Sequence, residues 1–192
     1  MMAGISPGKR NRALYETLAF LLRLLILVMP LYLILYFSVD LTSLTNLVAW
    51  EASVVLETMG YQVERTGSFM LVHGGSYPQP FRFYISPDSS GWKSLLLLSA
   101  LIIAVPKVSW KKRSIGLAIG LPIVWLGNLA RVVSIVVIER SYGLEAGMLA
   151  HDMLWRFGLS ILVLSIWLGW MHYLPEQHRW QRPKRGISQR DK

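Results

Sequence analysis

The fold turns on one stretch, TLAFLLRLLILVMPLYLILYFSV, which runs from Thr17 to Val39. Only Arg23 and Pro30 interrupt its apolar run of 23 residues. A helix needs about 20 such residues to cross the roughly 30 Å of hydrocarbon in a bilayer. The apolar core of a cleaved signal is shorter, about 7–15 residues, and leads into small residues at a cleavage site. Here the block leads into Leu35-Tyr-Phe-Ser-Val-Asp40 instead, so it reads as a membrane anchor. Three more apolar blocks follow, Trp92–Trp110, Ser114–Ile138 and Trp155–Leu174. The composition agrees. The chain is 53% hydrophobic and 16% charged, with a mean hydropathy of +0.41, against about 25% charge in a soluble domain.

These blocks predict an all-α membrane protein, one domain over residues 1–192, with about four spans at 17–39, 92–110, 114–138 and 155–174. Trp155, Trp167, Trp170 and Tyr173 border the last block as part of an aromatic belt. Residues 40–91 form a small outer cap. Within it Leu44–Met59 has mostly helical apolar spacing, with Leu44, Val48, Val55 and Met59 on one side and Glu51 and Glu57 left to water, as in a helix lying in the interface. Tyr61–Val72 and Pro80–Ile85 favour strands and are broken by Gly67, Gly74-Gly75 and Pro78, which predicts a hairpin or three-stranded unit.

The net charge of +9 raises the question of nucleic acid, and the distribution of charge answers it. Thirteen of the twenty Lys and Arg fall in residues 1–16, 107–113 and 175–192, whereas eight of the eleven acids fall between those segments. That is the asymmetry that orients helices in a membrane, not a basic face on one nucleic-acid module. It places both termini and the basic tail 175–192 in the cytoplasm, with the cap and residues 139–154 outside. The tail would also lie against anionic lipid. No cysteine is present, so the sequence offers no disulfide and no thiolate metal site, and no cofactor is expected.

Charges inside spans are costly unless something compensates them. Arg23 is near enough to the cytoplasmic end to snorkel, and Lys93 and Arg156 sit at span ends. Arg131 differs. It lies seven residues from the expected outer end of its span, about 10 Å deep at 1.5 Å per residue. Asn128 is three positions earlier, on the same helix face, and no acid is present in any span to pair with the guanidinium. Two further polar groups come to the same level, Asp88-Ser89-Ser90-Gly91 before the second span and His151-Asp152 before the fourth. Ser90 also suits a helix N-cap. A hydroxyl, an imidazole and a guanidinium on one face are the parts of a nucleophile, an acid/base and a charge stabiliser. Gly116 and Gly120 form a GxxxG that suits close packing within one bundle.

With these residues the chain resembles the exosortase/archaeosortase family of prokaryotic membrane transpeptidases. Ile85-Ser-Pro-Asp-Ser-Ser-Gly-Trp-Lys-Ser94 is similar to its nucleophile motif, Cys followed by Ser or Thr and then Gly. Gly127-Asn-Leu-Ala-Arg131 resembles its Asn-x-x-Arg motif, and His151 falls where its third basic group stands. The resemblance covers residues 85–175, and residues 1–80 carry no signature. It implies Ser89 as the nucleophile position, Arg131 as its electrostatic partner and His151 or Arg156 as the acid/base, with Asp88, Gly91, Asn128 and Asp152 in support. It further implies cleavage of secreted proteins at a C-terminal signal made of a short motif, a hydrophobic helix and a basic tail, followed by transfer to an acceptor such as a lipid. The departure is Ser89 itself, where the family has Cys. Serine is a poor nucleophile without a strong base, so the resemblance implies an inactive Cys-to-Ser form. A natural non-catalytic binding or scaffold homologue is the alternative. A serine intramembrane hydrolase is a weaker one, since no Gly-x-Ser-x-Gly is present.

Overall fold

The computed structural model describes residues 7–76 and 79–173, so the expected basic tail lies outside the described residues. The order is α1 (Pro7–Tyr36), α2 (Thr42–Thr58), β1 (Gln62–Thr66), β2 (Phe69–His73), β3 (Phe81–Tyr84), a 3₁₀ turn (Pro87–Ser90), α3 (Trp92–Ala104), α4 (Trp110–Tyr142), α5 (Leu144–Met153), a π-helical turn (Leu154–Gly158) and α6 (Leu159–Tyr173). The chain is thus mostly helical with one small antiparallel sheet, in the order β1-β2-β3. A two-residue turn, Gly67-Ser68, joins β1 to β2, with Thr66 paired to Phe69 and Gly67 at a φ of +62°. That positive φ is what a tight hairpin of this length requires.

Two helical segments are long and apolar enough to cross a membrane, Leu14–Tyr36 with a mean hydropathy of 2.6 and Trp110–Tyr142 with 2.0. The other two expected spans differ from their predicted bounds. The second stops at Ala104, not at Trp110, because Val105 precedes Pro106 and is held extended at ψ 120°. Its 13 residues reach only about 20 Å. The fourth begins as a regular helix at Leu159, after the π-helical turn, and α6 has 15 residues. Residues 139–154, expected as an outer loop, are helical instead. They complete α4 and form α5, which packs back on α4.

The core comes in two parts that share α4. Nearer its start, Val124 packs with Leu98, Leu101 and Ile102 of α3 and Val163 of α6, with Phe20 and Leu24 of α1 against them. Nearer its end, Val132, Val133 and Val136 pack with Val48, Ala49, Ala52 and Leu56 of α2, and with Met70, Val72 and Ile85 of the sheet region. One face of α2 therefore forms the inner layer of the cap, while Leu47, Trp50 and Val54 stay exposed on the other. Its buried face is built largely from small residues, and Glu51, expected in water, accepts a hydrogen bond from Trp125 Nε1 at 2.8 Å. Glu57 is exposed as expected. Asp40 accepts the Thr42 N–H at 2.8 Å and so satisfies one donor of the first turn of α2.

The far end of α4 fastens the cap. Arg140 is 3% exposed; its Nε donates to the Gly74 carbonyl at 2.6 Å and its Nη1 to the Gln79 carbonyl at 2.6 Å. In return the Arg140 carbonyl accepts the Ser76 N–H at 2.9 Å. Gly116 and Gly120 pack inside the bundle. A Cβ at Gly116 would lie 2.5 Å from the Trp170 indole nitrogen, and one at Gly120 would lie 2.8 Å from Leu98 Cδ2.

Candidate active site

The site forms where the two cores meet. Ser86-Pro87 opens the 3₁₀ turn in the way a serine N-cap followed by proline should. Ser86 Oγ accepts the Ser89 N–H at 3.3 Å and lies 3.0 Å from Ser89 Oγ. Ser90, expected as an N-cap, is instead fully buried and donates its hydroxyl to the Pro87 carbonyl at 2.7 Å. Ser86 was not among the expected residues, although the Ser-Pro pair was the sequence signal for it.

Gly91 turns the chain from this 3₁₀ turn into α3, with a φ of +83° that L side chains rarely adopt. A Cβ there would also lie 2.8 Å from Asn128 Cγ. Gly91→Ala is therefore expected to destabilise the protein by about 2 kcal/mol or more from backbone strain and overpacking. In detergent that should lower Tm by roughly 4–8 °C. An unchanged Tm would show that the turn is not held against α4.

Asn128 and Arg131 project from α4 toward this turn, and both are buried, at 1% and 7% exposure. Arg131 Nη2 donates to the Ser89 carbonyl and to Asn128 Oδ1, each at 3.0 Å. Arg131 lies within the long apolar helix Trp110–Tyr142, as expected, and α4 extends beyond the predicted bound. The helix runs on to Tyr142 and its last turns pack against the cap, so the guanidinium is enclosed by protein. No acid partners it among the described residues; a carbonyl and an amide oxygen do. Its Nε is buried without a hydrogen-bond partner, as is Trp92 Nε1 immediately after Gly91. Of these, the Arg131 guanidinium is the group at the site that can stabilise negative charge on oxygen or sulfur.

Asp88 pairs with Lys93 at 2.7 Å across the turn, with both side chains partly exposed. Such a pair contributes little to stability, about 1 kcal/mol at most. His151 is on α5, not in a loop, and its Nδ1 is 3.6 Å from Asp152 Oδ1. That is an ion-pair separation and too long for a hydrogen bond. Among the described residues no hydrogen bond or ion pair joins His151 to Ser89 or Arg131. Arg156 falls in the π-helical turn, and its side chain lies outside the described residues. The structure therefore assembles Ser89, Ser90, Gly91, Asn128 and Arg131 into one site and leaves His151 on a neighbouring helix.

An apolar helical bundle with a buried guanidinium at its junction with a small cap defines a transmembrane protein with a polar site enclosed by protein. The family model described as Transmembrane exosortase (Exosortase_EpsH) matches residues 1–168, and the chain belongs to that family. The match takes in residues 1–80, beyond the segment that carries the three motifs. Among curated proteins and solved structures, nothing matches the chain. The family is one of membrane transpeptidases concerned with protein sorting.

Proposed function

We propose that this chain recognises C-terminal sorting signals on secreted proteins in a prokaryotic cell membrane, at the site built on Ser89, Asn128 and Arg131. The observation that carries the reading is the buried Arg131 guanidinium, whose Nη2 is bonded to both the Ser89 main chain and Asn128. Four passes, with α3 and α6 as the shorter ones, put both termini in the cytoplasm by the distribution of Lys and Arg. The cap and the site then face outward. The signal's hydrophobic helix reaches the site through the membrane plane, and its basic tail stays on the cytoplasmic side.

In the family reaction as it applies to these positions, a thiolate at position 89 attacks the carbonyl carbon at the motif. Arg131 stabilises the charge that develops. The leaving amine takes a proton from an acid/base, for which His151 is the candidate, and a thioester remains. An acceptor nucleophile, such as a lipid, then displaces the thiol. With serine at 89 the first step lacks a nucleophile, and the chain is a binding-competent inactive form. A second reading, a natural non-catalytic binding or scaffold protein, is favoured by one observation: the Ser89 hydroxyl is paired with Ser86 Oγ and not with an imidazole.

Full-length protein, purified in detergent after co-expression with a secreted protein bearing such a signal, is expected to retain that protein uncut. Replacing the signal's hydrophobic helix with a polar segment should reduce recovery at least about tenfold, since a polar segment neither enters the membrane plane nor packs against the apolar helices there. Failure to retain any secreted protein with a complete signal would overturn the recognition reading.

A further inference from the structure

On the far side of the bundle from the cap core, an open cavity of about 400 Å³ is lined by Arg23, Ile26, Leu27, Ile103 and Arg113. Two arginines line this space, and no carboxylate is among its lining residues. Arg23 has no hydrogen bond or ion pair among the described residues. Arg113 is held from one side: its Nη2 donates to the Val105 carbonyl at 2.8 Å, and its guanidinium lies 5.1 Å from the centre of the Trp110 ring. Its Nε is buried without a partner. Glu16, the acid on this part of α1, is paired with Lys107. Two like charges between apolar walls repel each other unless an anion joins them. The planar fork of arginine matches phosphate in particular.

The surroundings select an amphiphile over a free ion. Ile26 belongs to the cavity and is 60% exposed; one turn away on either side along α1, Leu22 and Met29 are exposed too. An apolar strip of α1 therefore leads away from the cavity that the two arginines line.

We infer that this cavity binds the phosphate headgroup of an anionic phospholipid, whose acyl chains lie along the exposed strip of α1. Basic pockets between membrane helices take anionic headgroups in this way, and each basic residue contributes about 1 kcal/mol. The inference depends on no catalytic assignment.

The test is native mass spectrometry of the full-length protein in detergent, titrated separately with phosphatidylglycerol, phosphatidylcholine of the same chains, and inorganic phosphate. Phosphatidylglycerol should bind at least about fivefold more tightly than phosphatidylcholine, because choline carries a charge the two arginines repel. Arg23→Gln should remove that preference, and Arg23→Lys should restore part of it. Because Arg23 bonds to nothing among the described residues, Arg23→Gln should leave Tm unchanged; Arg113→Gln also removes the bond to Val105, so Arg23→Gln is the deciding variant. Equal binding of the two lipids, or a preference that survives Arg23→Gln, would overturn the inference. Inorganic phosphate binding as tightly as phosphatidylglycerol would assign the cavity to a free anion and overturn it as well.

Discussion

Ser89→Cys is expected to turn a chain that only retains its substrate into one that cuts it. The family's nucleophile is a thiol, and a thiol with an ordinary pKa of about 8.5 is already a few per cent thiolate at neutral pH. A serine hydroxyl ionises far less readily and needs a strong base in contact with it. The contact that Ser89 Oγ makes is with Ser86 Oγ at 3.0 Å, a weak donor or acceptor that removes no proton. Sulfur in the same place would sit on a turn whose main chain is already fixed by Arg131. The readout is the mass of a co-expressed sorting-signal protein, which should fall by the mass of its removed tail. The effect is from no detectable cleavage to cleavage of most of the substrate. If S89C stays inert while Ser89 still retains uncut substrate, the scaffold reading is correct. If the serine form cuts as fast as S89C, the enzyme is a serine hydrolase.

Removing Arg131 should have the second largest effect, and it should act on two quantities at once. Arg131→Ala leaves the Ser89 carbonyl and Asn128 Oδ1 without the donor that each has at 3.0 Å. Each buried acceptor so stranded costs about 1–3 kcal/mol, and the lost side chain leaves a void beside the turn. In the S89C background the same change should lower the cleavage rate by at least about 10²–10³-fold, the usual effect of removing one preorganised donor at a developing anion. Arg131→Lys separates the two effects. It keeps a positive charge but not the planar guanidinium, so Tm should recover in part while the rate stays low. A Lys variant as active as Arg131 would mean that charge alone is required; full activity in Arg131→Ala would remove this residue from the site. Loss of His151 in that background is expected to cost about 10²–10⁴-fold if it acts as the acid/base.

Parts of this site were legible because they follow from local spacing. Asn128 and Arg131 stand three apart, and a helix must place them on one face, where Asn128 indeed accepts from Arg131. Gly91 was legible as part of a motif, and the structure adds its reason, a positive φ pressed against Asn128. Arg131's bond to the Ser89 main chain was not legible, since it joins residues 42 positions apart. The helix bounds failed for identifiable reasons. The apolar block from Trp92 continues through Val105 and Val108, and hydropathy does not register that a residue before proline leaves the helix. Gly143 and Gly147 weaken the helical signal around His151, yet α5 forms there against α4. In α2 the buried face combines Val48 and Leu56 with Thr45, Ala49, Ala52 and Ser53, small residues that an apolar pattern built on Leu44, Val48, Val55 and Met59 passes over.

Helix α4 has one further property that follows from its two sets of neighbours. From Val124, in the bundle, to Val132, in the cap, is eight residues, a little over two turns and about 12 Å. Asn128 and Arg131 lie within that interval. A residue inserted or deleted there would swing one half of the molecule about 100° around the helix axis relative to the other. The interval works as a gauge block between two surfaces: its length and its phase are both fixed, and the guanidinium is aligned with the 3₁₀ turn only at that one setting. Within those eight positions the sequence can therefore change only by substitution.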